Sequence, residues 1–405
     1  MASQQAHDSE IAEHLQLVEY GDETESTKYD FATNELTTAP LFSSQIKALS
    51  PSPAVFPQYG LMGIRLETYG EAQASEVRQV NENSLVYANT NAPWSTFICG
   101  SQGSGKSHTL SCMLENSLVV PSKTGKNKAP LSALVLHYDK FTGLQTGQLC
   151  EAAYICSVGI PVRVLVSPSS FSRMKQLYEN LPGLSPNSKR PKVTPLKFSN
   201  KHLSIGMMKS LMAVGGGDPP LYMAVSLTIP FINVSNCQLS TRTQVVSKVL
   251  QDMAEQEETF DYVKFKTRLC SQDWVKGQTT PLEMRLQMLE SFLDVDKTTI
   301  PELGNNPEKQ VKPQAKKALA PPSLSQKQKK KKAKTGNTKW EFDQGSLTIV
   351  DLSCPFVDES ESCALFNICL SIFLASRNSS SRIIALDEAH KVSSTVCHCL
   401  IVYSH

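Results

Sequence analysis

The segment that most constrains the fold of this chain is a short glycine-rich stretch near residue 100. Its eight residues are Gly100, Ser101, Gln102, Gly103, Ser104, Gly105, Lys106 and Ser107. A mostly apolar run, Trp94 to Cys99, comes directly before it, and an amphipathic segment ending at Val119 comes directly after it. Glycine allows the tight backbone turn that such a junction needs. The sequence therefore predicts a strand, a loop and a helix in that order, with Trp94 to Cys99 as a buried strand.

The residue types of this stretch are those that hold a phosphate chain. They match the pattern G-x-x-x-x-G-K-[ST], in which backbone N–H groups wrap the phosphates and the helix adds its positive N-terminal end. In that pattern Lys106 reaches the β- and γ-phosphates, and the Ser107 hydroxyl is a magnesium ligand. We therefore expect ATP with Mg²⁺ to bind residues 100–107 and His108, the next residue of the helix. The alternative is a glycine-rich turn that matches by chance, which the flanking strand and helix disfavour.

A second motif is the acidic pair Asp387-Glu388, which closes the apolar run Arg382 to Leu386. An aspartate at the end of such a strand holds Mg²⁺, and a glutamate beside it orients and deprotonates the attacking water. We therefore expect Asp387 and Ser107 as metal ligands. Glu388 and Lys106 are the expected catalytic residues. The alternative is an ordinary acidic helix start after a strand, because acids favour a helix N-terminus.

Two other aspartates lie at the ends of predicted strands. Asp139 follows the strand Leu134 to Tyr138, and Asp351 lies in the strand Ser346 to Leu352. Asp351 is a weaker candidate for the magnesium role, because no second acid follows it. Asp139 is better explained as a turn residue that ends its strand than as a residue beside the nucleotide.

Strands and helices alternate along most of the chain. Further apolar runs predict strands at Val162 to Val166 and at Met223 to Ile229. Residues 243–293 have helical spacing of their apolar positions. Asp358 with Glu361 predicts a capping box at the start of another helix. This alternation predicts an α/β fold, a three-layer sandwich with a mainly parallel central sheet.

Composition divides the chain into five parts. These are a disordered acidic arm at 1–50, a first part of the core at 51–300 with a helical insertion at about 240–295, a disordered lysine-rich linker at 301–339, a second part of the core at 340–391, and an atypical tail at 392–405. Between Lys309 and Lys339 there are eleven lysines and no acid, while the whole chain has a net charge of only +2. The rest of the chain is therefore acidic. The lysines at 327–334 are a nuclear import signal, a nucleic-acid tether or a solvated charge run.

Cysteine usage and hydropathy favour an intracellular protein. Eleven cysteines are scattered without a C-x-x-C pair, which is typical of reduced thiols. Cys397, His398 and Cys399 lack the second ligand pair that a zinc site needs. The N-terminus has no secretory signal, and the most apolar stretch, Ala364 to Ala375, is too short to span a bilayer. We expect a cytoplasmic or nuclear protein without a membrane partner.

The order of these segments resembles that of the HerA/FtsK-type motor ATPases. The glycine-rich stretch comes first, and LVLHYDKFTG, LTIVDLSCPF and IIALDEAHK follow at residues 134–143, 347–356 and 383–391. The resemblance implies a RecA-like P-loop NTPase fold, in which Lys106, Ser107, Asp387 and Glu388 take the nucleotide and magnesium roles. It also implies a homo-oligomeric ring that pulls nucleic acid or protein through its pore. Superfamily-2 helicases share the letters DEAH, but their glycine-rich motif stands much closer to those letters.

The same resemblance sets an expectation for the end of the chain. It implies a sensor strand, further core strands and an arginine finger after residue 391, and residues 392–405 do not resemble such a continuation. We therefore expect a truncated gene model that binds ATP and hydrolyses it slowly. Two functions remain open at this point. One is an ATP-hydrolysing motor subunit, and the alternative is an ATP-binding switch or scaffold with little turnover.

Overall fold

The computed structural model of the chain describes residues 35–50, 52, 54–65, 84–120, 123–139, 148–213, 245–256, 259–272, 274, 279–296, 298–302, 340–376, 381–388 and 403–404. Four sequence predictions lie outside these residues: the strand Met223 to Ile229, nearly all of the linker at 301–339, most of the tail at 392–405, and the acidic arm up to residue 34. None of the described helices is long and apolar enough to cross a membrane.

The first elements form a small antiparallel sheet. Its strands are β1 (Leu41–Ser43), β2 (Tyr59–Ile64), β3 (Leu85–Asn89) and β4 (Gly125–Lys126), in the order β1-β3-β2-β4, and α1 (Ser44–Leu49) follows β1. Phe42 of β1 is buried and stacks on Phe56, with 3.8 Å between the ring centroids. This packing orders the end of the segment that the sequence predicts as a disordered arm. The arm prediction is therefore wrong for residues 41–49.

The small sheet packs on helix α2 (Lys106–Leu118). The amide of Asn116 in α2 donates to the carbonyl oxygen of Leu61 in β2 at 2.9 Å. A Cβ atom at Gly60 would lie 2.2 Å from Cγ of Asn116, so the close approach of strand and helix requires glycine there. The small sheet thereby holds α2 in place from the side that faces away from the central sheet.

The central sheet has six described strands. They are β5 (Ser132–His137), β6 (Val162–Val166), β7 (Lys192–Pro195), β8 (Ser346–Asp351), β9 (Arg382–Asp387) and β10 (Tyr403–Ser404), in the order β10-β9-β5-β8-β6-β7. The five strands from β9 to β7 are all parallel, and β10 pairs antiparallel with the start of β9. The predicted α/β fold with a mainly parallel sheet is thus confirmed.

Helices cover both faces of this sheet, which explains why its inner strands are mostly apolar. On one face, Ala133 and Val135 of β5 pack with α2, with a 3-10 helix (Glu151–Val158) and with α3 (Phe171–Glu179). On the other face, Leu134 and Leu136 pack against a helical layer. That layer consists of α4 (Ile205–Ala213), α5 (Val245–Glu255), α6 (Tyr262–Cys270), α7 (Thr279–Ser291) and α8 (Glu359–Ala375).

The helices of this layer are joined to one another at the start of α8. Asp358 accepts a hydrogen bond from the Glu361 N–H at 2.7 Å, and Glu361 accepts one from the Asp358 N–H at 3.0 Å. The predicted capping box is therefore present. Glu361 also forms an ion pair with Arg285 of α7, which in turn donates to the carbonyl oxygen of Leu211 in α4. One buried contact set thus joins three helices.

One predicted strand is wrong. Residues Trp94 to Cys99 have no strand structure, and the side chain of Phe97 is 75% exposed. An apolar run forms a strand only where the edge of a sheet offers it backbone partners. The outer edge of β9 is paired at Arg382 and Ile383 by β10, and no described strand pairs with the run. Its position is set instead by Trp94, whose indole N–H donates to the Asn89 carbonyl at 2.8 Å.

Candidate functional site

The glycine-rich loop, residues 100–107, turns directly into the first residues of α2. Gly103 and Gly105 have φ angles of 78° and 88°, in the left-handed region that favours glycine. Gly105 is the N-cap of α2, which therefore begins at Lys106. Of the remaining loop residues, Ser101, Gln102 and Ser104 are exposed. The loop thus presents its backbone and the N-terminal end of a helix of 13 residues to solvent.

Lys106 folds back across the loop. Its Nζ atom donates to the carbonyl oxygens of Gly100 at 3.1 Å and of Ser101 at 2.9 Å. The ammonium group is therefore held over the loop although Lys106 is only half-buried. This arrangement places one positive charge beside the N–H groups at the start of α2, which carry partial positive charge themselves. An anion with several oxygens is the ligand that such a group of donors accepts.

The direction of α2 decides which end of the sheet the loop lies near. At the C-terminal end of α2, the carbonyl oxygen of Ser117 accepts from the N–H of Leu131 at 2.9 Å, one residue before β5 begins. A Cβ atom at Gly345, one residue before β8, would lie 3.5 Å from the carbonyl oxygen of Leu118. A helix of 13 residues and a strand of six are both about 20 Å long. The glycine-rich loop therefore lies toward the opposite end of the strands, which we call the carboxyl edge.

Three polar residues meet at the carboxyl edge. His137 of β5 lies between Asp351 of β8 and Asp387 of β9, and both neighbours are in register with it. His137 is 0%, Asp351 1% and Asp387 9% exposed. The last residues of three adjacent strands thus bring two carboxylates and one imidazole together in a buried place.

His137 and Asp387 form an ion pair. Nδ1 of His137 lies 3.1 Å from Oδ2 of Asp387, and Nε2 lies 3.2 Å from the carbonyl oxygen of Gln148. Burial alone would lower the pKa of His137, but the carboxylates of Asp351 and Asp387 and these hydrogen bonds raise it to about 9. Burial alone would raise the pKa of Asp387, but the hydrogen bond and charge of His137 lower it below its usual value. At neutral pH the pair is therefore an imidazolium and a carboxylate.

Asp351 is held by a separate set of hydrogen bonds. Its Oδ2 accepts from the Tyr178 hydroxyl at 2.6 Å, and its Oδ1 accepts from the Ser353 N–H at 2.9 Å. The Tyr178 oxygen also accepts from the N–H of Cys150 at 3.1 Å. Burial and the charge of Asp351 raise the pKa of the Tyr178 phenol well above its usual value, so it remains a donor. Both carboxylate oxygens of Asp351 therefore accept hydrogen bonds from the protein. This agrees with the prediction that Asp351 is the weaker candidate for a magnesium ligand.

His137, Cys150 and Asp387 also form the one group of metal-ligand side chains found among the described residues. Their ligand atoms all lie within 4.8 Å of one another. Burial and the nearby charges of Asp387 and Asp351 raise the pKa of the Cys150 thiol well above its usual value, so it is neutral. A nitrogen, sulfur and oxygen set suits Zn²⁺ more than Mg²⁺, which prefers oxygen ligands. The hydrogen bonds of His137 account for the cluster without a metal.

Glu388 follows at the end of β9 and is more exposed than Asp387. Its φ angle is 57°, which is uncommon for a residue other than glycine. Its Oε1 accepts from the side-chain amide of Gln148 at 3.1 Å. Since the Gln148 carbonyl also accepts from His137, both acids of the Asp387-Glu388 pair are tied to the same imidazole.

The structure brings most of the sequence-predicted residues to the carboxyl edge. Lys106 and Ser107 lie at the start of α2 on this side of the sheet, and Glu388 follows Asp387, the last residue of β9. His108 is exposed, and its Nε2 lies 3.7 Å from the sulfur of Cys112. Asp139 is buried, and its N–H donates to the Ser353 hydroxyl at 2.8 Å, which agrees with a role in ending the strand.

Three residues of the site were not predicted from the sequence. They are His137, Gln148 and Tyr178. His137 carried a weak signal, because it is a polar residue near the end of an otherwise apolar strand. Gln148 and Tyr178 belong to no motif, and only the folded chain brings them next to the acids.

Comparison with known proteins identifies no relative. No family model matches the chain, and neither a curated protein nor a solved structure is significantly similar to it. What the chain does must therefore be inferred from its own residues.

Proposed function

We propose that this chain binds ATP with Mg²⁺ at the carboxyl edge and hydrolyses it, as a P-loop ATPase similar to the HerA/FtsK type. The observation that supports this most is the pairing of two features at one edge of a parallel sheet. A glycine-rich loop caps a helix with its lysine held across it, and an Asp-Glu pair ends a neighbouring strand. Ligands of open α/β sheets bind outside the carboxyl ends of the strands, which is where both features lie.

The residues present fit a nucleoside triphosphate with its metal. Cβ atoms at Gly103 and Gly105 would meet no other atom within 4 Å, so the space around the loop backbone is open. Lys106 and the N–H groups of the loop would bind the phosphates. Ser107 and Asp387 would hold Mg²⁺, which neutralises charge on the phosphate oxygens when it is bound. Glu388 would orient the attacking water and accept its proton.

A motor function is a further part of the proposal, and its support is the resemblance in segment order alone. It consists of assembly into a homo-oligomeric ring and translocation of nucleic acid or protein. The alternative is a different class of function, an ATP-binding switch or scaffold that hydrolyses ATP slowly and translocates no substrate.

The test of this proposal is a titration with a fluorescent ATP analogue and Mg²⁺, followed by a measurement of phosphate release. Lys106→Ala removes charged hydrogen bonds to the phosphates, which contribute about 1.5–3 kcal/mol each. We therefore expect at least about tenfold weaker binding. Glu388→Gln is expected to bind normally and to stop phosphate release.

Lys175→Ala is the matched control. Lys175 is also a helical lysine, but it is 47% exposed and pairs with Glu179 in α3. It should change neither quantity. Equal nucleotide affinity of the unmodified chain and Lys106→Ala would refute the proposed site.

A further inference from the structure

We infer that His137 and Gln148 form a positioning unit that sets the geometry of both acids of the site, Asp387 directly and Glu388 through the Gln148 side chain. This inference rests on the proposed function, since it assigns a role within that site. Neither residue belongs to the motifs that define the loop or the acidic pair.

The contacts form one continuous chain. The His137 Nδ1 atom contacts Asp387 at 3.1 Å, and its Nε2 atom contacts the Gln148 carbonyl at 3.2 Å. The side-chain amide of the same Gln148 donates to Glu388 at 3.1 Å. A shift of the imidazole would therefore move the partners of both acids together.

Burial makes His137 a rigid support. The ring is completely buried within β5, and each of its nitrogen atoms has a hydrogen-bond partner. The strand pairing that aligns His137 with Asp387 fixes the backbone on both sides of the contact. Residues that orient a metal-binding carboxylate in this way commonly change metal affinity about 10–100-fold when they are replaced.

Gln148, unlike His137, lies at the surface, so its contact with Glu388 can be tested by truncating its side chain. Its side chain is exposed, so truncation leaves no cavity and removes no buried group. The backbone carbonyl that accepts from His137 is kept in Gln148→Ala. This substitution should therefore break the link to Glu388 and keep the contact with His137.

Two substitutions of His137 separate its two contacts. Asparagine carries an amide nitrogen at the same distance along the side chain as Nδ1, so His137→Asn keeps a donor for Asp387. Glutamine carries one in the place of Nε2, so His137→Gln keeps a donor for the Gln148 carbonyl. Only His137→Gln is expected to release Asp387.

The experiment measures Mn²⁺, as a spectroscopic substitute for Mg²⁺, in the complex with a non-hydrolysable ATP analogue. Electron paramagnetic resonance reports the free ion. We expect His137→Gln to weaken Mn²⁺ binding about 10–100-fold, and His137→Asn to stay within about threefold of the unmodified chain. Circular dichroism and a thermal unfolding midpoint identify any variant that fails to fold.

Gln148→Ala is tested by single-turnover hydrolysis of ATP. We expect a rate about tenfold lower, with unchanged affinity for Mn²⁺ and for nucleotide, because only the orientation of Glu388 is lost. Gln251→Ala is the matched control, since Gln251 is an exposed glutamine that donates to Glu255 at 2.9 Å within α5. It should have no effect.

The outcomes distinguish this inference from the proposed function. Weakened nucleotide binding in Lys106→Ala, together with unchanged metal affinity in His137→Gln and unchanged turnover in Gln148→Ala, would overturn the positioning unit and leave the proposed function in place. No nucleotide binding by the unmodified chain would overturn both.

Discussion

At the scale of single residues, His137 supplies the positive charge that two buried carboxylates need. Two carboxylates, Asp351 and Asp387, are buried beside it, and burying carboxylates without a partner charge is costly. The imidazolium supplies one positive charge in register with both. This positive charge stabilises the folded chain, and it is lost at alkaline pH, when the imidazolium becomes a neutral imidazole.

Stability should therefore fall as pH rises from 6.5 toward 9. In the folded chain the pKa of His137 is about 9, against an ordinary value of 6.5. In this window the folded chain keeps a proton that the unfolded chain has released, so raising the pH favours unfolding. Over this whole window the free energy of unfolding should fall by about 3 kcal/mol. The lowered pKa of Asp387 adds nothing to this figure, because it arises from the same ion pair. Thermal unfolding midpoints from pH 6.5 to 7.5 measure the first part of this fall, below the range where the thiols of the unfolded chain titrate.

His137→Asn is the comparison for this pH series. It keeps a neutral donor beside Asp387 and has no titrating ring, so its midpoint should be nearly independent of pH over the same range. Parallel pH dependence of the two proteins would show that another group is responsible.

At the scale of elements, the start of α8 joins three helices of the helical layer. Glu361 serves both the capping box and the ion pair with Arg285, and the side chains of both partners are only 10–11% exposed. A buried ion pair is weak evidence for stability as a whole, but the removal of one partner leaves an uncompensated buried charge. The two roles of Glu361 can be separated by substitution.

Glu361→Ala should destabilise the chain by about 3–5 kcal/mol, because it leaves the Arg285 guanidinium without its carboxylate. Asp358→Ala, which removes the N-cap acceptor, should cost about 0.5–2 kcal/mol. Glu359→Ala, in the same first turn but outside the capping box, is the control and should have a small effect. Urea unfolding compares the three variants, and a Glu361→Ala cost no larger than that of Asp358→Ala would contradict the account.

Individual elements differ in how well the sequence predicts them. Strands β5, β8 and β9 were predicted within two residues, because strands covered on both faces are continuous apolar runs. The run Trp94 to Cys99 is also mostly apolar and is not a strand. Composition shows that a segment can be buried, but not whether a neighbouring edge is open to receive it.

The candidate site shows the same limit. Lys106, Ser107, Asp387 and Glu388 could be predicted, because each belongs to a local pattern with a known chemical use. His137 and Gln148 could not, because their role comes from strand register and from a contact between residues 240 positions apart. Local patterns identify groups that act on a ligand, whereas the residues that hold those groups are set by tertiary structure.

At the scale of the whole molecule, the parallel sheet brings the glycine-rich loop and the Asp387-Glu388 pair, which are distant in sequence, to the same edge. The small antiparallel sheet holds α2 from outside through Asn116, and the central sheet holds it from inside through Leu110 and Leu114. This double attachment fixes the glycine-rich loop toward the edge where β9 ends. The central claim is therefore that the loop and the Asp387-Glu388 pair respond together to one ligand.

Hydrogen exchange measured by mass spectrometry, with and without a non-hydrolysable ATP analogue and Mg²⁺, tests this claim most directly. We expect slower exchange both in peptides covering residues 100–108 and in peptides covering residues 383–388, and Lys106→Ala should abolish both changes. Protection of the loop alone, or protection of the strand end that survives in Lys106→Ala, would contradict a single shared site.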